Sequence, residues 1–186
     1  MSNIKVVQPE EATGRLKEIY AELIDKRVKL AEVHKIQSLR PESIVKHIDL
    51  YLEIMFSKSE LSRAEREMLA VVVSACNNCE YCQVHHAVAL NNYWKNSAKV
   101  NQLRKEYSKT DITNKELAIC KFAAQVTLHS GEAPGAEIID KLREVGLSDS
   151  AILDATLVVA YFNFVNRIVL TLGVELEKDS GKGYKY

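Results

Sequence analysis

Apolar residues recur along most of the chain at the three-to-four-residue spacing of amphipathic helices. Leu16, Ile19, Tyr20 and Leu23 share one face of a helix predicted from Pro9 to about Arg27. Pro41-Glu42-Ser43 makes a good opening for the next, because proline is tolerated in a first turn. Ile44, Val45, Ile48, Leu52, Met55 and Phe56 then follow at helical spacing. Ser62-Arg63-Ala64-Glu65 reads as a capping box ahead of Met68, Leu69, Val72, Val73 and Cys76. Asn77-Asn78 interrupts that pattern, and a further helix is expected from about Cys79 to Trp94, with Asn78 as its N-cap.

The polar stretch Lys95 to Asp111 is expected to hold another short helix. Thr113-Asn114-Lys115-Glu116 is a second capping box, opening a helix through Leu117, Cys120, Ala124 and Leu128 that Ser130-Gly131 ends. Pro134 to Val145 reads as a short amphipathic helix stopped by Gly146, and Ser148 to about Val174 as a long, strongly apolar one. Residues Lys178 to Tyr186 form a charged, glycine-containing tail, expected to be loose. The expected fold is all-α: helical hairpins around one core, in a single domain over 1–186 whose core covers about 40–176. A faint repeat runs through it. Aligned without gaps, Leu61-Ser62 matches Leu147-Ser148, Val72-Val73 matches Val158-Val159, and Asn77 matches Asn163. Val165 and Ile168 stand where the first copy has Cys79 and Cys82.

Composition supports helix over strand: with three prolines and seven glycines in 186 residues, breakers are few. The 25 basic and 25 acidic residues cancel, so nothing suggests a nucleic-acid footprint, and self-association meets no net charge repulsion. The start, Met1 to Glu11, has no apolar core of a signal peptide, and no run approaches about 20 uninterrupted apolar residues. No membrane span is expected, and a cytoplasmic location is.

The segment Cys76 to His86 holds three of the four cysteines and two of the five histidines, a crowding that packing alone does not explain. Cys79 and Cys82 are three apart, so on a helix their sulfurs can approach bonding distance. His86 is four residues beyond Cys82 and within reach of its sulfur; His85, three beyond, is a weaker candidate for that role. Near a helix start the unpaired N–H groups stabilise a thiolate, the reactive form of cysteine. Glu67 lies twelve residues before Cys79, about 18 Å along one straight helix. It meets the cysteines only if the chain turns at Asn77-Asn78. A zinc site (Cys79, Cys82 and His86, with Cys76 or His85) and a pair of inert core thiols are the alternatives. Haem attachment fails, because Gln83 stands where C-x-x-C-H needs histidine. Cys76 and Cys120 read as buried apolar residues, and His34, His47 and His129 as solvated or satisfied ones. Asn166-Arg167, within the apolar last helix, either approaches the site from the second repeat or belongs to the surface.

Glu67, eleven residues, Cys79-x-x-Cys82, three residues and His86 together resemble the signature of the alkylhydroperoxidase D family, within the carboxymuconolactone decarboxylase superfamily. The run from Leu61 to Leu90 is similar to its peroxidase-related branch; the similarity continues weakly through the Thr113 and Leu147 helices, and the first sixty residues add little. The resemblance implies an all-helical, internally duplicated fold assembled as a homo-oligomer, a trimer or hexamer. It implies Cys82 as the thiol that attacks a hydroperoxide, Cys79 as the resolving thiol, and Glu67 and His86 as the proton relay. His85 and Tyr81 would stand behind these groups; where family members often carry histidine between the cysteines, this chain has Tyr81. His86 one turn from Cys82 favours the same division of labour between the thiols. No cofactor or metal is required, and an external dithiol would restore the thiols. A dithiol–disulfide reductase without peroxide activity and a redox-sensing oligomer are the competing readings.

Overall fold

The structure is a computed structural model that describes residues 2–27, 29–131 and 136–178. Every regular element among them is a helix. A single-turn 3-10 helix at Pro9–Glu11 precedes α1 (Gly14–Arg27), α2 (Glu32–Lys35) and α3 (Pro41–Phe56). Then come α4 (Arg63–Cys76), α5 (Glu80–Trp94), α6 (Ser97–Lys105) and a 3-10 turn at Tyr107–Lys109. The chain closes with α7 (Asn114–Leu128), α8 (Ala136–Glu144) and α9 (Asp149–Leu172). The helix expected from Pro9 is divided, because Ala12 is extended and Gly14 takes φ +50°. Pro134, the expected opening of α8, and the tail beyond Lys178 lie outside the described residues.

Both capping boxes form. Ser62 Oγ accepts from Glu65 N–H while Glu65 Oε2 accepts from Ser62 N–H, and Thr113 and Glu116 repeat the exchange. Ser148 caps α9 through Ala151 N–H. The repeat therefore holds at its caps, and the matched Asn77 and Asn163 hydrogen-bond each other at 3.0 Å. It stops there, because α9 runs unbroken where the first copy turns.

Nine consecutive residues of α4, from Arg66 to Ser74, are buried. Such all-round burial makes α4 the central helix, and α5, α6, α7 and α9 pack around it. α9 is long and apolar enough to cross a membrane by length and composition. Its inner face, Ala155, Val158, Val159 and Phe162 included, nevertheless sits in the main protein core. The single expected core is in fact two clusters, since Leu16, Ile19, Tyr20 and Leu23 of α1 bury their stripe separately against Ile44 and Ile48 of α3.

Candidate active site

The turn between α4 and α5 sets the site. Asn77 ends α4, and Asn78 takes φ +54°, the left-handed conformation that asparagine tolerates better than most residues. Cys79 N–H returns to Ser74 carbonyl at 2.9 Å. Asn78 was the expected N-cap, but the left-handed turn advances the chain by one residue and Cys79 occupies that place. Cys82 is then the third residue of the helix.

Both thiols are free and almost fully buried. The hydrogen bond between them shifts the two thiols in opposite directions. That bond from Cys82 lowers the Cys79 thiol; burial opposes the shift and the Cys82 backbone N–H assists it, from a position short of a full capping hydrogen bond. Cys82 is held well above the ordinary thiol value, first by Cys79 and then by burial; a hydrogen bond from Asn166 works the other way. Mutual hydrogen bonding and burial thus set the direction of both shifts. Cys76 is half-buried rather than buried, whereas Cys120 is buried, and burial raises both thiols.

Glu67 is entirely buried, where a charged run at a helix start would ordinarily be solvated. Its Oε2 lies 2.6 Å from His86 Nδ1 and its Oε1 accepts from Arg63 Nη2 at 2.6 Å. Arg63 is held in turn by the Met55 carbonyl and by the Phe56 ring, 3.8 Å from its guanidinium carbon. A buried carboxylate needs such partners. With Nδ1 turned to Glu67, His86 is left with Nε2 for other exchange.

His85 makes a second pair of the same kind. Its Nε2 is 2.8 Å from Glu177 Oε2, while Glu177 Oε1 accepts from the Tyr81 hydroxyl at 2.9 Å and from Glu32 N–H at 3.1 Å. Burial acts against the Glu177 carboxylate, but the hydrogen bond and charge of His85, with the Glu32 N–H, hold it well below the usual range. The segment after α9 is thereby tied to α5 and to α2.

Cys82, His86 and His85 line a cavity of about 70 Å³, several times the roughly 10–15 Å³ of such space that one water requires. Cys79 does not line it. The opposite wall carries His34, His47, Tyr51 and Tyr161. His47 is 2.7 Å from the Tyr161 hydroxyl through Nε2 and 2.8 Å from Gln37 Nε2 through Nδ1. His34 and His47 are therefore buried rather than solvated, His47 with both ring nitrogens satisfied, and both line the cavity. Among the described residues no group of three or more His, Cys, Asp or Glu side chains is arranged to hold a metal ion.

Residues 44–105 match the carboxymuconolactone decarboxylase family. No curated protein matches the chain. Among solved structures, an alkylhydroperoxidase AhpD core, an uncharacterized peroxidase-related protein from Ralstonia eutropha JMP134, is 28% identical with a TM-score of 0.85, covering 99% of this chain and 98% of that one. An uncharacterized peroxidase-related protein from Silicibacter sp. TM1040 is 25% identical with a TM-score of 0.84, each chain covered in full. Over its whole length the chain is thus similar to proteins on the alkylhydroperoxidase D-like side of the carboxymuconolactone decarboxylase superfamily. The debrominase Bmp8 shares the fold at 19% identity and TM-score 0.78, covering 95% of this chain and 92% of its own, so the fold carries more than one chemistry.

In this alkylhydroperoxidase D-like chain the structure brings together all the residues singled out by sequence: Cys79, Cys82, His86 and Glu67, with Tyr81 and His85 beside them. Sequence reasoning missed His34, His47, Tyr161 and Glu177. Tyr161 shares the α9 face of Phe162 and Val165, and nothing local distinguishes it. His47 sits among the apolar positions Ile44, Ile48 and Tyr51, and an imidazole on a buried face was the one available signal.

Proposed function

We propose that the protein is a thiol-dependent peroxidase that reduces hydroperoxides through a Cys79/Cys82 dithiol–disulfide cycle. The observation that carries this reading is a pair of free, buried thiols three residues apart, only Cys82 on a cavity, with His86, held by Glu67, lining the same cavity. The Cys82 proton passes to Cys79 or to His86, and the Cys82 thiolate attacks the outer oxygen of the peroxide. The O–O bond breaks, the alkoxide leaves as an alcohol with a proton delivered by His86 and Glu67, and Cys82 becomes a sulfenic acid. Cys79 thiolate attacks that sulfur, water leaves, and a disulfide forms. Two thiols and one hydroperoxide thus give one disulfide, one alcohol and one water. An external dithiol then reduces the bridge by exchange.

The cycle calls for a reducing compartment, so the cytoplasm is the proposed location, and no cofactor takes part. Leu153, Leu157, Phe164 and Leu170 of α9 are exposed, which favours a homo-oligomer that covers them. Hydroperoxide consumption with a dithiol donor tests the reading. Turnover should depend on Cys82, and peptide mapping after peroxide should find Cys79 joined to Cys82 with Cys76 and Cys120 free. Dithiol–disulfide exchange without peroxide turnover would replace it with the reductase reading.

A further inference from the structure

The cycle above uses one wall of the cavity, where α5 carries Cys82 and His86. The far wall holds a hydrogen-bonded row that the cycle does not use, and one end of the row fixes the direction of every bond in it. The Val33 carbonyl can only accept, so Gln37 turns its amide nitrogen, Nε2, to it at 2.8 Å. The same nitrogen lies 2.8 Å from His47 Nδ1, which is therefore the bare, accepting nitrogen of a neutral ring. The ring hydrogen is then on Nε2, which donates to the Tyr161 hydroxyl at 2.7 Å. Tyr161 receives that bond with a lone pair, so its own O–H is directed away from His47. Tyr161 and His47 are both buried, and both line the cavity with Cys82.

Displacement at a peroxide oxygen is in line: the sulfur enters on one side of the attacked oxygen and the leaving oxygen departs on the other. With Cys82 on the α5 wall, negative charge on the leaving oxygen builds across the cavity, toward the walls that α3 and α9 supply. His86, one turn beyond Cys82 on the same helix, stands on the entering side. We propose that Tyr161 is a catalytic hydrogen-bond donor to the leaving oxygen of the hydroperoxide, and that His47 is a positioning residue. By donating to the Tyr161 oxygen, His47 aims the hydroxyl and strengthens it as a donor. A fixed donor aimed where charge develops needs no reorganisation during the reaction. Tyr161 lends a hydrogen bond and keeps its proton, so the balance of the cycle is unchanged and the alcohol still takes its proton from His86 and Glu67.

The inference rests on the peroxidase reading, and the choice of leaving group separates the two. An alkyl peroxide, tert-butyl hydroperoxide, expels an alkoxide, a strong base that needs the donor. Peracetic acid expels a carboxylate, already stable as an anion near neutral pH. Reduced full-length protein is mixed with each peroxide in single turnover. Loss of the free Cys82 thiol is read by quenching with an alkylating reagent and peptide-level mass spectrometry. Tyr161→Phe keeps the ring that packs on His47 and Phe162 and removes only the hydroxyl. It should slow the reaction with tert-butyl hydroperoxide on the order of 10²-fold, the usual worth of one such donor, and that with peracetic acid by less than about threefold. His47→Phe should shift the ratio of the two rates the same way by less, about tenfold. Equal slowing with both peroxides, or none, in a folded Tyr161→Phe protein overturns the proposal and leaves the peroxidase reading standing. If Tyr161→Phe does not fold, an unshifted ratio in His47→Phe overturns it instead. A parent protein that reacts with neither peroxide faster than free cysteine removes the peroxidase reading, and this role with it.

Discussion

Two adjacent histidines of α5 each hold a glutamate, and the two pairs differ in where the glutamate comes from. Glu67 reaches His86 from the central helix, is wholly buried, and is braced by Arg63. Glu177 reaches His85 from the segment after α9, 92 residues along the chain, and is braced by Tyr81 and a backbone N–H of α2. The first pair is anchored in the core and, through His86, borders the cavity that Cys82 also lines. The second joins three separate pieces of chain that a folding protein must bring together. On the proposed cycle the same chemical unit serves the reaction in one place and architecture in the other.

The sharpest separation comes from the thiols that the inner pair serves. Cys82→Ser should abolish the rapid single reaction with peroxide. Cys79→Ser should react once and stall as a sulfenic acid that dimedone traps. The competitor is physical: Cys79 is the more readily ionised thiol. Access to the cavity decides against it, because an anion that cannot meet the peroxide does not react. Fast reaction kept in Cys82→Ser and lost in Cys79→Ser would reverse the roles.

Next in size is removal of the inner pair. His86→Ala and Glu67→Gln should each slow the first oxidation on the order of 10²–10⁴-fold, the usual worth of a positioned proton donor. Stopped-flow peroxide reaction measures this. Glu67→Gln should also lower stability, since Arg63 loses its buried carboxylate. His85→Ala should leave that rate within about tenfold of the parent; a loss as large as that of His86→Ala would make the two pairs equivalent and end the distinction.

How much of this was legible beforehand follows the same division. The inner pair was readable because Glu67, Cys79, Cys82 and His86 lie within twenty residues and the Asn77-Asn78 break is visible between them. The longer helices and both capping boxes were readable because their signals are local, whereas the four-residue α2 was not. Cys79 as N-cap was not, because the left-handed turn at Asn78 displaces the helix start by one residue. Glu177, Tyr161 and the histidines of the far wall were hidden for a different reason. Their partners are distant in sequence, and each sits in a pattern that ordinary packing would also produce.

A third experiment uses pH on the outer pair. Glu177 has its folded value lowered, so its contribution to stability is present above the unfolded carboxylate value, near 4.3, and fades as pH falls below it toward the folded value. Glu177→Gln should lower stability by about 1–3 kcal/mol at neutral pH, the range for losing hydrogen bonds to a charged group. The deficit should shrink on acidification. Chemical denaturation at several pH values reads both. A deficit constant between pH 7 and pH 3 would mean that the Glu177 charge contributes nothing.

Smallest is the effect of Tyr81→Phe. The change removes one hydroxyl that donates to Glu177 Oε1 and accepts from Val33 N–H at 3.3 Å, while keeping the ring that packs 4.4 Å from His85. Each of the two hydrogen bonds is worth about 0.5–1.5 kcal/mol net, the longer one least, and for a chain of this size each kcal/mol shifts Tm by about 2–4 °C. Glu177 keeps its bonds to His85 and to Glu32 N–H, so the latch should loosen without opening. If Tyr81 acts mainly through Glu177, Tyr81→Phe should cost less in the Glu177→Gln background than alone, the remainder being the bond from Val33 N–H. The rate of the first oxidation should barely move. A tenfold slowing of that step at unchanged stability would place Tyr81 in the proton path, and the outer pair would then belong to the chemistry as well as to the fold.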